Sequence, residues 1–148
     1  MKKITSLIVI VLMVASVAFA AAQKKMIGEK DLPGLEGTWE GMLDLGMRSG
    51  LENCPAVLTI ENDTVPVKMK LTVRNIDPSK ASLLGMLTTE TFEADNGVIT
   101  TEGTLRWTNP AMGQGSSFEV SKGRRDKILN VSYSIRGGTN GTGTFYKK

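Results

Sequence analysis

Histidine is absent from the 148-residue sequence, which removes the commonest general base in enzymes and most catalytic zinc sites. Catalysis would have to use a carboxylate, a lysine or a tyrosine, and Glu90 is the carboxylate with the clearest candidate position. If a strand from Leu84 keeps its alternation, Glu90 points inward with Phe92 and offers an acid or an anchor for a polar ligand group. A bulge near Gly85 would instead place Glu90 in solvent. We expect no catalysis, no cofactor and no bound metal.

Three further motifs have simple structural interpretations. The single cysteine, Cys54, has no partner for a disulfide and only Arg48 as a nearby cation, so we expect a half-buried thiol and not a nucleophile. The glycine-rich run 137–143 lacks the ending of a phosphate-binding loop, which favours a hairpin turn. The basic cluster from Lys122 to Lys127 is typical of a solvated turn, with an envelope protein or polymer as its alternative partner.

The first 22 residues have the pattern of an export signal. Lys2 and Lys3 precede an apolar run over residues 7–14, and small alanines follow at residues 18 and 20–22. This pattern predicts a signal peptide over residues 1–22 and a secreted or periplasmic protein. Without Lys2 and Lys3 the chain has 16 basic against 15 acidic residues, so its charge does not favour nucleic acid as a partner. No later stretch is apolar for long enough to predict a transmembrane segment in the mature chain.

Residues 23–34 show no hydrophobic period and are predicted to be a flexible tether, and residues 35–148 are predicted to form one β-domain. The clearest strand alternates apolar residues from Val67 to Val73 with Lys68, Lys70 and Thr72. Asp95-Asn96-Gly97 has the composition of a tight hairpin turn. Residues 81–87 fit either a short helical turn or the start of a strand.

About eight antiparallel strands joined by short connections indicate an all-β fold. An up-and-down barrel is favoured because closure removes open edges and because glycines, including Gly41 and Gly143, are available for the bends. A β-sandwich is the alternative. An outer-membrane barrel would need apolar residues facing lipid, whereas the polar positions of these strands are rich in Thr, Lys and Glu.

Gly37-Thr38-Trp39, on the first predicted strand, resembles the Gly-X-Trp signature of the lipocalin and calycin group. The resemblance implies that Trp39 closes the base of the barrel and that the open end holds a small apolar ligand. No Thr-Asp-Tyr motif follows. The longer string from Gly37 to Leu45 is also similar to the opening of small secreted β-domains of unassigned role.

The predicted function is therefore a non-enzymatic binding module for a small apolar or amphipathic molecule. Its expected ligand-binding residues are five side chains assigned to the barrel interior: Met69, Glu90, Phe92, Trp107 and Tyr133. The alternative is a structural or interaction domain of the cell envelope, with a filled core and a partner bound on the outside.

Overall fold

The computed structural model describes residues 25–45, 52–84, 87–111, 114–135 and 139–148. A 3₁₀ turn at Glu29–Asp31 leads into a short helix, α1 (Leu32–Leu35), and a second helix, α2 (Pro78–Leu84), follows the third strand. The strands are β1 (Gly37–Asp44), β2 (Cys54–Ile60), β3 (Val67–Val73), β4 (Glu90–Ile99), β5 (Leu105–Thr108), β6 (Ser117–Lys122), β7 (Ile128–Ile135) and β8 (Thr139–Lys147).

These strands form one closed antiparallel barrel. Each strand pairs with the next along the chain, and β8 returns to pair with β1, from Trp39 opposite Lys147 to Asp44 opposite Thr142. The prediction of an all-β up-and-down barrel is confirmed, and the sandwich alternative is not adopted. Closure satisfies the backbone groups that the outer edges of an open sheet would leave unpaired.

Alternation of apolar and polar residues decides which side chains enter the barrel. In β3, Val67, Met69, Leu71 and Val73 are buried, while Lys68 and Lys70 are exposed. The same period of two runs through β2. An eight-stranded barrel is just wide enough for side chains to fill its interior. The largest fully buried side chains are aromatic: Trp39, Trp107, Phe118 and Phe145.

The seam between β1 and β8 depends on glycine. A Cβ atom at Gly143 would lie 2.6 Å from the carbonyl oxygen of Met42, and one at Gly41 would collide with the carbonyl oxygen of Thr144. The two strands approach too closely for any side chain at these positions, which agrees with the predicted use of glycine in closure. Of the glycine-rich run predicted to be a hairpin turn, Gly137 and Gly138 lie outside the described residues, whereas Gly141 and Gly143 lie within β8.

Residues 25–36 form an N-terminal cap over one end of the barrel, so the predicted tether is wrong for its described part. Ile27, Leu32 and Leu35 are buried in the same core as the barrel side chains. The backbone N–H of Ile27 donates a hydrogen bond to the carbonyl oxygen of Gly103 (2.8 Å). The indole N–H of Trp39 donates to the carbonyl oxygen of Leu35 (2.8 Å), which joins the cap to the first strand.

Two lysines of the barrel hold the cap in place. Lys122 Nζ lies 2.7 Å from Asp31 Oδ1, and both side chains are about four-fifths buried. Lys147 Nζ donates to the carbonyl oxygens of Gly34 (2.6 Å) and Glu36 (3.0 Å) and lies 5.3 Å from the ring centroid of Trp39. The cap has the polar composition of a linker, but three of its apolar residues, Ile27, Leu32 and Leu35, pack into the core.

Helix α2 lies on the connection at the opposite end of the barrel. Asp77 begins it, because its carboxylate accepts hydrogen bonds from the backbone N–H groups of Ser79 (2.9 Å) and Lys80 (3.3 Å). The residues around it pack inward through Ile76 and Ala81, which are both buried. Of the two readings left open for residues 81–87, the helical one holds through Leu84, while Gly85 and Met86 lie outside the described residues.

The Asp95-Asn96-Gly97 hairpin prediction is wrong, because these residues lie inside β4 and the chain turns at residues 100–103 instead. The register between β3 and β4 shifts at this point, as in a β-bulge. Asn96 replaces a backbone partner there: its Nδ2 donates to the carbonyl oxygen of Thr108 (2.7 Å), and its Oδ1 accepts from the Thr108 N–H (3.2 Å). Asn96 therefore extends the short ladder between β4 and β5.

The outer wall carries the polar half of the alternation, including Lys68, Lys70 and Arg106. Neither helix within the described ranges has the length and apolar character needed to cross a membrane.

Candidate functional site

Four of the five residues predicted to bind a ligand lie in the barrel interior. Met69, Trp107 and Tyr133 are at most 3% exposed, and Phe92 is 8% exposed. The rings of Trp107 and Phe118 pack against each other with centroids 5.9 Å apart. A side chain that lined a water-sized void would keep accessible surface toward it. Among the described residues, Met69, Trp107 and Tyr133 therefore pack against protein with no water-sized space beside them.

Glu90 does not join this cluster. It shares the parity of Phe92 but stands at the first position of β4, where it is half-buried at the barrel rim. Its Oε1 accepts a hydrogen bond from the backbone N–H of Leu87 (2.5 Å). The carboxylate thus closes the turn that leads into β4, which is a structural role and leaves it outside the apolar interior.

Cys54 is buried at the start of β2, more deeply than the half-buried thiol predicted from the sequence. Burial raises the pKa of this thiol, and the nearby carboxylate of Asp44 raises the pKa further. Because the thiolate is the nucleophilic form, both effects lower its reactivity at neutral pH. Burial also raises the pKa of Tyr133, so its phenol stays neutral at physiological pH.

The basic cluster at residues 122–127 forms the β6–β7 hairpin and its flanks. Lys122 is paired with Asp31 of the cap, and Asp126 is paired with Lys25 at 2.6 Å. Two of the charges in this cluster therefore attach the N-terminal cap. Arg124 and Arg125 stay exposed at the tip.

A depression of about 610 Å³ opens on the outer wall, across β6, β7, β8 and β1. We call it the seam groove, because it includes the β1–β8 seam and the backbone of Gly41 and Gly143 lines part of it. Sequence reasoning directed at the interior did not find it.

Strand register arranges the outward side chains of the seam groove in two transverse rows. The first row runs through Glu119, Ser132, Thr142 and Asp44, which are paired positions on β6, β7, β8 and β1. The second row, two residues along each strand, runs through Ser121, Asn130, Thr144 and Met42. Neighbouring strands lie about 4.8 Å apart, so each row spans roughly 14 Å.

The groove lining mixes polar and apolar groups and carries no lysine or arginine. Within the described part of the chain, no hydrogen-bond partner is found for the hydroxyls of Ser132, Thr142 and Thr144, all of which are exposed. Asp44 Oδ1 accepts a hydrogen bond from the backbone N–H of Asn53 (2.8 Å). Glu119 Oε2 accepts two hydrogen bonds from the Arg106 guanidinium, from Nε at 2.9 Å and from Nη2 at 2.6 Å. The arginine therefore borders the row and fixes the position of this carboxylate.

Two larger side chains project outward from the seam groove. Tyr146, two residues beyond Thr144 on β8, is 56% exposed, and Met42 is 50% exposed. Both are outward exceptions to a pattern in which most large apolar and aromatic side chains enter the core. The outward aromatic at the end of the Thr142-Thr144-Tyr146 series is the signal in the sequence that could have pointed to this face.

The described residues contain no group of three or more acidic or cysteine side chains arranged to hold a metal ion. Comparison with known proteins gave no relative: no protein-family model, curated protein or solved structure matches this chain. The functional argument therefore uses the geometry of this barrel alone.

Proposed function

We propose that this chain is an exported, non-catalytic binding domain in which a filled barrel serves as a rigid scaffold and the seam groove takes the ligand. The observation that carries the proposal is the contrast between the two faces of the wall. The inner face is packed, whereas the outer face between β6 and β1 holds a depression of about 610 Å³ lined by exposed hydroxyl and amide groups.

This proposal corresponds to the second of the two functions considered from the sequence, an interaction domain of the cell envelope. The leader-like N-terminus supports export, and the absence of histidine and the raised pKa of Cys54 support a role without catalysis. Binding sites on rigid strands position their groups well, because each side chain is fixed by its register with two neighbouring strands.

The interior site for a small apolar ligand has less support. Met69, Trp107 and Tyr133 would have to leave their packed positions to admit a guest, at the cost of the contacts that fill the barrel. Native mass spectrometry of the protein purified from its own host tests this alternative. An apolar molecule that stays bound in a stoichiometric amount through purification would support the interior site.

Retention of the purified protein on its host's isolated envelope fraction tests the proposed function. Thr144→Arg places a long cation across the seam groove, and we expect it to lower retention at least about tenfold. Thr59→Arg, at an outward position of β2, is the matched control and should leave retention unchanged. Equal retention of the two variants, or none by the wild type, would remove the groove as the binding surface.

A further inference from the structure

We propose that the seam groove binds a neutral oligosaccharide, which lies along the two transverse rows of side chains, all of them polar except Met42. This inference rests on the proposed function, since it names the ligand class of the same groove. It begins from the chemistry of the rows, which offer hydroxyl, amide and carboxylate groups at regular intervals.

The rows provide both donors and acceptors at short intervals. Ser132 and Thr142 supply hydroxyls that donate and accept, Asn130 supplies an amide that does both, and the Asp44 carboxylate accepts only. Adjacent hydroxyls on a sugar ring likewise donate and accept. A row of about 14 Å therefore presents matching partners to a short chain of rings along its whole length.

Tyr146 adds the apolar contact that recognition of a sugar requires. A pyranose ring has hydroxyls around its edge and C–H groups on its faces, so it needs a flat apolar partner beside hydrogen-bonding groups. Tyr146 is 56% exposed, lies opposite Glu40 on β1 and Ile128 on β7, and presents a rigid ring at the edge of the polar rows. Tyrosine supplies this kind of amphipathic contact at a low cost in conformational entropy.

Charge argues against an anionic polymer. The described lining includes the carboxylate of Asp44 and no basic residue, and Arg106, at the border of the first row, is already paired with Glu119. A phosphate-rich or sulfated chain would therefore find no cation in the lining to pair with. A neutral chain needs none.

The groove also differs from a protein interface. Stable protein contacts have an apolar centre with a polar rim. In the seam groove, Thr142 and Thr144 lie on β8, an inner strand, and the exposed apolar side chains, Met42 and Tyr146, stand at the edge. A peptide cannot add as a further strand at this place, because β8 is already paired with both β7 and β1.

The test is a two-dimensional amide NMR titration of the full chain with four neutral probes: cellohexaose, maltohexaose, laminarihexaose and the N-acetylglucosamine tetramer. We expect saturable shifts with at least one probe at Asn130, Ser132, Thr142 and Thr144, and none with dextran sulfate. Tyr146→Ala should weaken this binding about tenfold or more, and Tyr146→Phe should retain most of it. Thr142→Val should cost about three- to tenfold, while Thr59→Val on β2 should have no effect.

The outcomes separate the two proposals. The oligosaccharide assignment is overturned if none of the four neutral probes causes amide shifts, whether or not dextran sulfate does. If envelope retention is still lost in Thr144→Arg, the groove binds another ligand class and the proposed function stands. If retention is also insensitive to Thr144→Arg, both proposals fail. The tyrosine and threonine side chains are exposed, and a thermal melt of each variant confirms that it has folded.

Discussion

Trp107 fills the space left by Gly97, and a Cβ atom at residue 97 would lie 2.5 Å from the indole Nε1 of Trp107. The same Nε1 donates a hydrogen bond to the carbonyl oxygen of Val67 (2.8 Å), which lies beside the register shift between β3 and β4. A glycine that appeared to belong to a hairpin turn therefore serves the packing of the core. The neighbouring residue, Asn96, hydrogen-bonds to the backbone of Thr108.

Replacing Gly97 by alanine should destabilise the barrel by about 1–3 kcal/mol, because the added methyl group displaces the indole and stretches its hydrogen bond. Urea unfolding followed by tryptophan fluorescence measures the change. Gly34→Ala is the matched control, since nothing lies within 4 Å of a Cβ atom there, and it should change stability by less than about 1 kcal/mol. Equal behaviour of the two variants would show that Trp107 does not depend on the glycine.

Trp39→Ala should destabilise the barrel by about 3–5 kcal/mol, as truncation of a buried aromatic side chain does. Trp39 is fully buried and is the point at which the cap and the barrel meet, through its hydrogen bond to Leu35 and its contact with Lys147. Thermal melts of Trp39→Ala and Trp39→Phe measure both contributions, because phenylalanine keeps most of the apolar volume and loses the hydrogen bond. An unchanged melting temperature for Trp39→Ala would contradict the packing described for this residue.

Acid should loosen the N-terminal cap through Asp31. The hydrogen bond from Lys122 and the backbone N–H of Gly28 hold the pKa of Asp31 below its ordinary value of 3.8. A lowered pKa in the folded state means that the stabilisation is complete above about pH 4 and is lost as the pH falls through the lowered pKa. We expect a contribution of about 1 kcal/mol.

Asp31→Asn removes this contribution and should unfold with a shallower dependence on pH between about 5 and 2 than the wild type. Urea unfolding at a series of pH values measures the slope. Asp95→Asn, at an exposed carboxylate of β4, is the control and should change the slope little. If Asp95→Asn and Asp31→Asn gave the same slopes, the Asp31–Lys122 pair would not carry the acid sensitivity.

The period of two was enough to predict the strands, because it decides which side chains of β2, β3 and β7 can share a core. The choice of a barrel over a sandwich used a second argument, the removal of open edges with glycines available for the bends. Predictions from local composition were wrong where tertiary contacts determine the backbone conformation. Asn96-Gly97 has the residues of a turn, yet Trp107 and Thr108 from another strand decide its conformation. The cap was also missed, since Ile27, Leu32 and Leu35 follow no regular period and become apolar contacts only against the finished barrel.

The seam groove could not be derived from sequence because it exists only through register. Thr142, Ser132 and Asp44 are ordinary outward residues taken one at a time. They form a row because β8 aligns Thr142 with Ser132 on one side and with Asp44 on the other. A slip of one residue in either pairing would turn the row inward or break it.

The β1–β8 seam also sets the order in which the molecule can assemble. Residue 39 pairs with residue 147, so the ladder that closes the barrel joins segments that are synthesised far apart in time. Contacts of such long sequence separation slow folding, and the edge of β1 that does not pair with β2 stays unpaired until β8 arrives. Under the export proposed above, this delay would keep the polypeptide unfolded until β8 has followed β1 across the membrane.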